Sequence, residues 1–357
     1  MNASRSYSRD DLSRSPLMFY YEVTLACDLV CKHCRASAQE QPDPDELSTD
    51  RAKALLDQVA AFPRRPHLVL TGGDPLKRAD LFELIRHAAA TGLRVALTPS
   101  ATPLATFEAF DRAKQAGVRS LGISLDGAEP ATHDGIRGID GSFQRTLDML
   151  GFARRLGLPV QINTTITRRN VGQVDAMAAL LASRGIATWS VFFLVPVGRG
   201  VEEERIRPEE YEQVFVRLWQ QSQRRTYAVR TTEAPHYRRF VLQQESRETD
   251  RRQESPGAIS TLGVGDGKGV MFVSHTGDIF PAGFLPLRCG RFPHDSVVDV
   301  YQRHPTFLAL RDADHFRGRC GICEYRRICG GSRARAYALT GDFLETDPDC
   351  GYVPKAP

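Results

Sequence analysis

The chain has 357 residues, 41% hydrophobic and 25% charged, with a formal net charge of +4, an ordinary globular composition. The charge is spread along the chain and no basic stripe with interleaved aromatics occurs, which argues against a nucleic-acid partner. Residues 1–16 are polar with no signal core, and no run of about 18 apolar residues exists, so neither export nor a membrane span is expected and a cytoplasmic setting with reduced thiols is.

Met18–Thr24 is a β-rich run, and Ser48 caps a helical pattern that reaches residue 62. Residues 67–70 read as a short apolar strand running into Gly72 and Gly73, Leu81–Ala90 as a helix, and residues 94–98 as a strand. A helix over residues 104–116 stops at Gly117, a strand over 120–125 ends in Asp126 and Gly127, and a helix over 143–156 stops at Gly157. Val160–Ile166 is a strand, 174–183 a helix, and 188–195 a strand ending at Pro196. Six β–α units in about 200 residues predict a parallel sheet whose C-terminal strand ends build the site. Periodicity alone does not separate an open barrel from a doubly wound sheet.

After Pro208 the pattern changes. A helix over residues 209–224 precedes a polar segment, 231–239, and a charged, glycine-rich stretch, 243–269, that reads as a long loop. Residues 270–284 resemble a hairpin turning at His275 to Asp278, and 297–312 look helical. The expected organisation is a tail (1–17), a core domain (18–200), a connecting region (201–269) and a small α+β domain (270–357).

Eight cysteines in a long chain without a signal, clustered near the two ends, argue against disulfides. Cys27, Cys31 and Cys34 follow the first strand. Three thiolates on one loop hold three irons of a [4Fe–4S] cluster and leave the fourth open to a small ligand. A zinc knuckle is the rival, with His33 as the fourth ligand. The C-terminal set, Cys320, Cys323, Cys329 and Cys350, is complete for zinc or for a fully ligated [4Fe–4S] cluster. Cys289 stands alone, a buried thiol or an extra ligand or reactive group.

The Cys-x3-Cys-x2-Cys loop, followed one unit later by Thr71, Gly72, Gly73, Asp74 and Pro75, resembles the radical S-adenosylmethionine (SAM) superfamily, where Gly-Gly-Glu-Pro is usual and Asp74 is a departure. The resemblance implies an open six-unit partial TIM barrel, an open iron that chelates SAM, and reductive cleavage of SAM to a 5′-deoxyadenosyl radical. By resemblance Gly72, Gly73, Asp74 and Pro75 line the SAM site, Ser124 and Asp126 contact its ribose or carboxylate, and Asn163 and Thr165 are further candidates. Arg137 is read as tying a loop. The cysteine quartet resembles a SPASM/Twitch auxiliary-cluster domain. Residues 330–333 and 281–283 lack the cysteines of a full SPASM domain, so one auxiliary cluster is expected.

Residues 27–38 (CDLVCKHCRASA) and 320–350 resemble the radical SAM proteins of haem d1 and alternative haem synthesis, and residues 231–239 and 272–287 a related stand-alone family. That implies hydrogen abstraction from a small anionic metabolite, by analogy a tetrapyrrole side chain, with the auxiliary cluster relaying an electron and a flavodoxin or ferredoxin as donor. Sulfur insertion into a sugar or nucleoside is a second outcome. Peptide maturation is a third, although only 17 residues precede the first strand, too few for a leader-binding domain. A zinc-bound scaffold is the non-enzymatic alternative. Glu233, His236, Tyr237, Arg238 and Arg239 form a polar patch in which the arginines suit an anion and His236 or Tyr237 a proton transfer, unless it is a solvated charged strand. His275 and Asp278 read as turn residues.

Overall fold

A computed structural model describes residues 7–249 and 262–355. Its strands in chain order are β1 (Met18–Thr24), β2 (His67–Gly72), β3 (Arg94–Leu97), β4 (Val118–Ser124), β5 (Val160–Ile166), β6 (Thr188–Phe193), β7 (Ala228–Thr232), β8 (Val270–Val273), β9 (Asp278–Phe280) and β10 (Gly290–Arg291). They form one sheet in the order β10-β9-β8-β1-β2-β3-β4-β5-β6-β7. β1 to β7 are parallel neighbours in sequence order, as expected of a partial barrel, and β7 adds a seventh strand to the six read from the sequence.

Side-chain alternation makes this sheet a wall with two uses. On β1, Phe19 and Tyr21 are fully buried, while Met18 and Tyr20 face the central cavity. On β4 and β5, Ile123 and Ile162 are fully buried, and Gly122, Ser124, Asn163 and Thr165 face the cavity. The helices seal the apolar face. Thr49–Ala60 buries Ala52, Leu55, Leu56 and Val59, one stripe of its amphipathic pattern. Full burial of each of its leucines contributes about 1.5–3 kcal/mol.

Several boundaries shift for local reasons. The helix read from residue 104 begins at Phe107, because the Thr106 hydroxyl caps it. The helix over 297–312 splits into Val297–Arg303 and Pro305–Arg311, since Pro305 cannot continue the first and opens the second. The polar tail contains a short capped helix, Arg9–Arg14, anchored by buried Leu12. The segment read as a polar strand and the start of a long loop is β7 followed by the helix His236–Thr249; residues 250–261 of that loop lie outside the described residues.

The hairpin β8–β9 docks on the barrel. β8 pairs with β1 in parallel, Met18 opposite Val270 and Tyr21 opposite Val273. His275, at the hairpin turn, is buried rather than solvated and fastens the contact. Its Nδ1 lies 2.8 Å from Glu22 Oε1 and its Nε2 3.4 Å from Asp43 Oδ2. Glu22 in turn accepts from Arg35 at 2.9 Å.

Candidate active site

The cysteine loop leaves the end of β1 and is clamped from three sides. Gly72 and Gly73 at the end of β2 let it approach: a Cβ on Gly72 would stand 2.2 Å from Thr24 O, and one on Gly73 2.4 Å from Ala26 O. Gly72 also adopts φ +143°, which favours glycine. In that contact the Gly73 amide donates to Thr24 O and the Asp74 amide to Ala26 O. From the far side, Arg199 donates to Cys31 O at 2.9 Å and to Ala38 O at 2.8 Å. From a third, Arg137 donates to Cys31 Sγ at 3.6 Å while its guanidinium pairs with Asp126 at 2.5 Å.

These donors test whether the triad suits an iron–sulfur cluster. Cys27 Sγ accepts from the Leu29 amide and Cys34 Sγ from the Ala38 amide, both at 3.4 Å, so each of the three sulfurs has an N–H donor suited to an anionic thiolate. Burial pushes the metal-free Cys27 thiol up to about 11 and raises Cys31 as well, so ligation must displace protons. All three cysteines border a cavity of about 820 Å³, and the residues fit the cluster.

Gly72, Gly73, Ser124, Asn163 and Thr165 line this cavity beside the triad, whereas Asp74, Pro75 and Asp126 do not. The Asp74 carboxylate is fully buried and used up by the protein: Thr102 Oγ1 donates at 2.6 Å, with the Leu76 and Ser100 amides also donating. Asp126 accepts from the Thr165 amide at 2.7 Å and pairs with Arg137. Both aspartates therefore brace their loops and turn away from a ligand in the cavity.

The C-terminal cysteines meet in a separate, small recess that all four line. Cys320 Sγ accepts from Arg333 and from the Asp347 amide, and Cys329 Sγ from the Gly331 amide, each at 3.4 Å. Burial holds the Cys350 thiol up at about 11. Behind the recess lies a buried ion network. Arg335, fully buried, donates to Asp347 at 2.9 and 2.7 Å and to Glu233 O at 2.8 Å. Asp349 accepts from Tyr211 at 3.0 Å and from Arg205 at 3.1 Å. Burial would raise Asp347, but Arg335 above all holds it down to about 2. Among the described residues no three His, Cys, Asp or Glu side chains converge on a single-ion position; the triad and the quartet spread around recesses instead.

The central cavity reaches from the triad to Cys329 and the loop 330–333. Cationic side chains on its wall outnumber carboxylates nine to two. The two carboxylates are Glu233 and Asp266. Glu233 has φ +57° and accepts from Ser332 Oγ. Burial, then the neighbouring Asp266, raises Glu233 well above the usual carboxylate range, and burial raises Asp266 as well. Arg230 on β7 is exposed and has no hydrogen bond or ion pair among the described residues.

The residues singled out as proton carriers separate. Tyr237 lines the central cavity. His236 does not; it lines the recess of the C-terminal cysteines. Cys289 borders neither space. It is buried in the main apolar core, its thiol donating to Leu287 O at 3.3 Å and pushed up to about 11 by burial, so it packs as a core thiol. Arg137, read as tying a loop, does so by pairing with Asp126; Arg199 shapes the site with no signal in the sequence, reaching its carbonyl partner on Cys31 across 168 residues.

Residues 21–205 match the model of the Radical SAM superfamily. The chain belongs to the radical SAM superfamily. It is a radical SAM enzyme, and membership implies a [4Fe–4S] cluster and SAM. It is 39% identical over 345 residues to the AdoMet-dependent heme synthase of Methanosarcina barkeri, covering 96% of this chain and 98% of that protein. It is 29% identical to the pre-heme d1 synthase of Dinoroseobacter shibae, covering 92% of this chain and 85% of that one. The structure of Streptococcus suis SuiB bound to S-adenosylmethionine superposes with a TM-score of 0.74 at 16% identity, over 95% of this chain and 78% of that one, and shares the fold. Among the described residues no helix is long and apolar enough to cross a membrane.

Proposed function

We propose that this radical SAM enzyme modifies a tetrapyrrole carrying carboxylate side chains, with Cys27, Cys31 and Cys34 holding the SAM-cleaving cluster. Cys320, Cys323, Cys329 and Cys350 hold an auxiliary [4Fe–4S] cluster that relays an electron, and a reduced flavodoxin or ferredoxin supplies the first cluster. The triad's cluster, when bound, supplies the electron that splits SAM into methionine and a 5′-deoxyadenosyl radical. Gly72, Gly73, Ser124 and Asn163 form the wall against which SAM lies, and Arg137 and Arg199 keep the cysteine loop in place. Asp74 and Asp126 serve that wall indirectly, by fixing the turns that carry it.

One observation carries the reading: a single cationic cavity extends from the triad to the loop that holds Cys329. A substrate between the two cysteine sets lies within reach of both, and the arginine excess suits several carboxylates at once. The heme synthase name of the M. barkeri relative agrees with this substrate class. Glu233, Asp266 and Tyr237 line the same cavity.

The test uses anaerobically reconstituted protein with SAM, a reductant and iron-coproporphyrin III as probe. It should hold about eight irons, and Cys27, Cys31 and Cys34 changed together to Ala should leave about four and abolish SAM cleavage. The porphyrin should raise 5′-deoxyadenosine formation and return with altered mass over many turnovers. No porphyrin-dependent change would overturn the substrate class. A single turnover with loss of auxiliary sulfide would replace electron relay by sulfur insertion.

A further inference from the structure

His236 is the one imidazole on the wall of the recess formed by Cys320, Cys323, Cys329 and Cys350. It is 1% exposed, and neither ring nitrogen has a hydrogen-bond partner among the described residues. Buried polar groups without partners are uncommon, because desolvation goes uncompensated at about 1–3 kcal/mol. The ring cannot turn away to solvent. Tyr211 holds one side at a ring separation of 5.2 Å and Phe215 another at 4.9 Å.

The nearest anion does not satisfy it. Asp347 Oδ2 stands 4.0 Å from Nδ1, beyond hydrogen-bond reach. That carboxylate is already engaged by two bonds from Arg335 and by the Ser332 amide at 2.8 Å. Asp347 therefore leaves both ring nitrogens without a hydrogen-bond partner. In either protonation state the imidazole carries at least one N–H to give.

We infer that His236 donates a ring N–H to a sulfur of the cluster bound by the C-terminal cysteines and thereby raises that cluster's reduction potential. The inference rests on reading the quartet as an iron–sulfur site. Hydrogen bonds to cluster sulfurs are among the levers that set the potential, because they stabilise the more negative, reduced state. His236 is then a positioning and tuning residue. It needs no contact with substrate, and this explains why a histidine beside the cavity-lining Tyr237 is turned away from the cavity.

The full chain carrying Cys27, Cys31 and Cys34 changed to Ala isolates the auxiliary cluster. Labelling with ¹⁵N-histidine and pulsed EPR of the reduced cluster should reveal a weak nitrogen coupling. His236→Phe, which keeps the aromatic packing, should abolish that coupling, lower the midpoint potential and leave about four irons in place. His236→Gln, which restores an N–H donor, should recover part of the potential. An unchanged potential with no nitrogen coupling in the parent would overturn the inference. Loss of iron in both variants would make His236 a ligand instead and also overturn it. A parent chain that binds no iron would fail earlier, at the reading of the quartet itself.

Discussion

The two cysteine sites are built by opposite means. The triad sits on a strand-end loop that borders a cavity of about 820 Å³ and is held mainly through its backbone, by two glycine contacts and the Arg199 carbonyl bonds. The quartet lines a small recess and is backed by side chains, the fully buried Arg335 with Asp347 and Asp349. A loop that must accept a ligand cannot be filled with its own side chains. On the proposed function, a site that only has to hold its cluster can be. The first is therefore sensitive to backbone shape and the second to buried charge.

Arg335→Met should separate them most. Removing one partner of a buried pair leaves an uncompensated carboxylate and costs about 3–5 kcal/mol. Urea unfolding should show that loss, and iron counting should find the quartet depleted while the triad keeps about four irons. Equal loss from both sites would show that the two do not depend on different supports.

Gly73→Ala tests the other side of the comparison. The added Cβ meets two carbonyls, Ala26 O at 2.4 Å and Leu25 O at 2.5 Å, so the cysteine loop must move. Overpacking of this kind costs about 1–3 kcal/mol. SAM cleavage should fall sharply, and the auxiliary cluster's EPR signal should stay as it was. Wild-type SAM cleavage in this variant would show that the contact is dispensable.

The smallest effect sharpens the comparison at the seam where the hairpin docks on the barrel. Burial pulls His275 down, but Glu22 and Asp43 outweigh it and hold its pKa above the ordinary value. The bridge it makes is thus complete below about pH 6.5 and is lost as pH rises through the raised folded value. Wild-type Tm should decline with pH across that window, and His275→Gln should show a flatter profile. Parallel profiles would mean that the hairpin docks without this bridge.

Much of this was legible in the amino-acid sequence. Met18–Thr24 and Val160–Ile166 have the bounds their patterns predict, and the alternation of strands and helices foretold the parallel sheet. The grouping of the cysteines into a triad and a quartet was equally plain, and each group lines one space. The helix His236–Thr249 was hidden by its charged composition and weak amphipathic pattern, and the proximity of Glu233 to Asp266 by 32 intervening positions.

The sequence by itself determined which groups could carry metal and which segments could pair. Only the tertiary structure decided what they face. It set β8 against β1, turned Asp74 and Asp126 into their own loops, sent Cys289 into the core, and put His236 and Tyr237, adjacent in the chain, in two different spaces. The physical reason is that local spacing follows from bond geometry, whereas the partner of a buried charge is chosen by whatever distant side chain can neutralise it, as Arg335 does for Asp347 and Arg137 for Asp126.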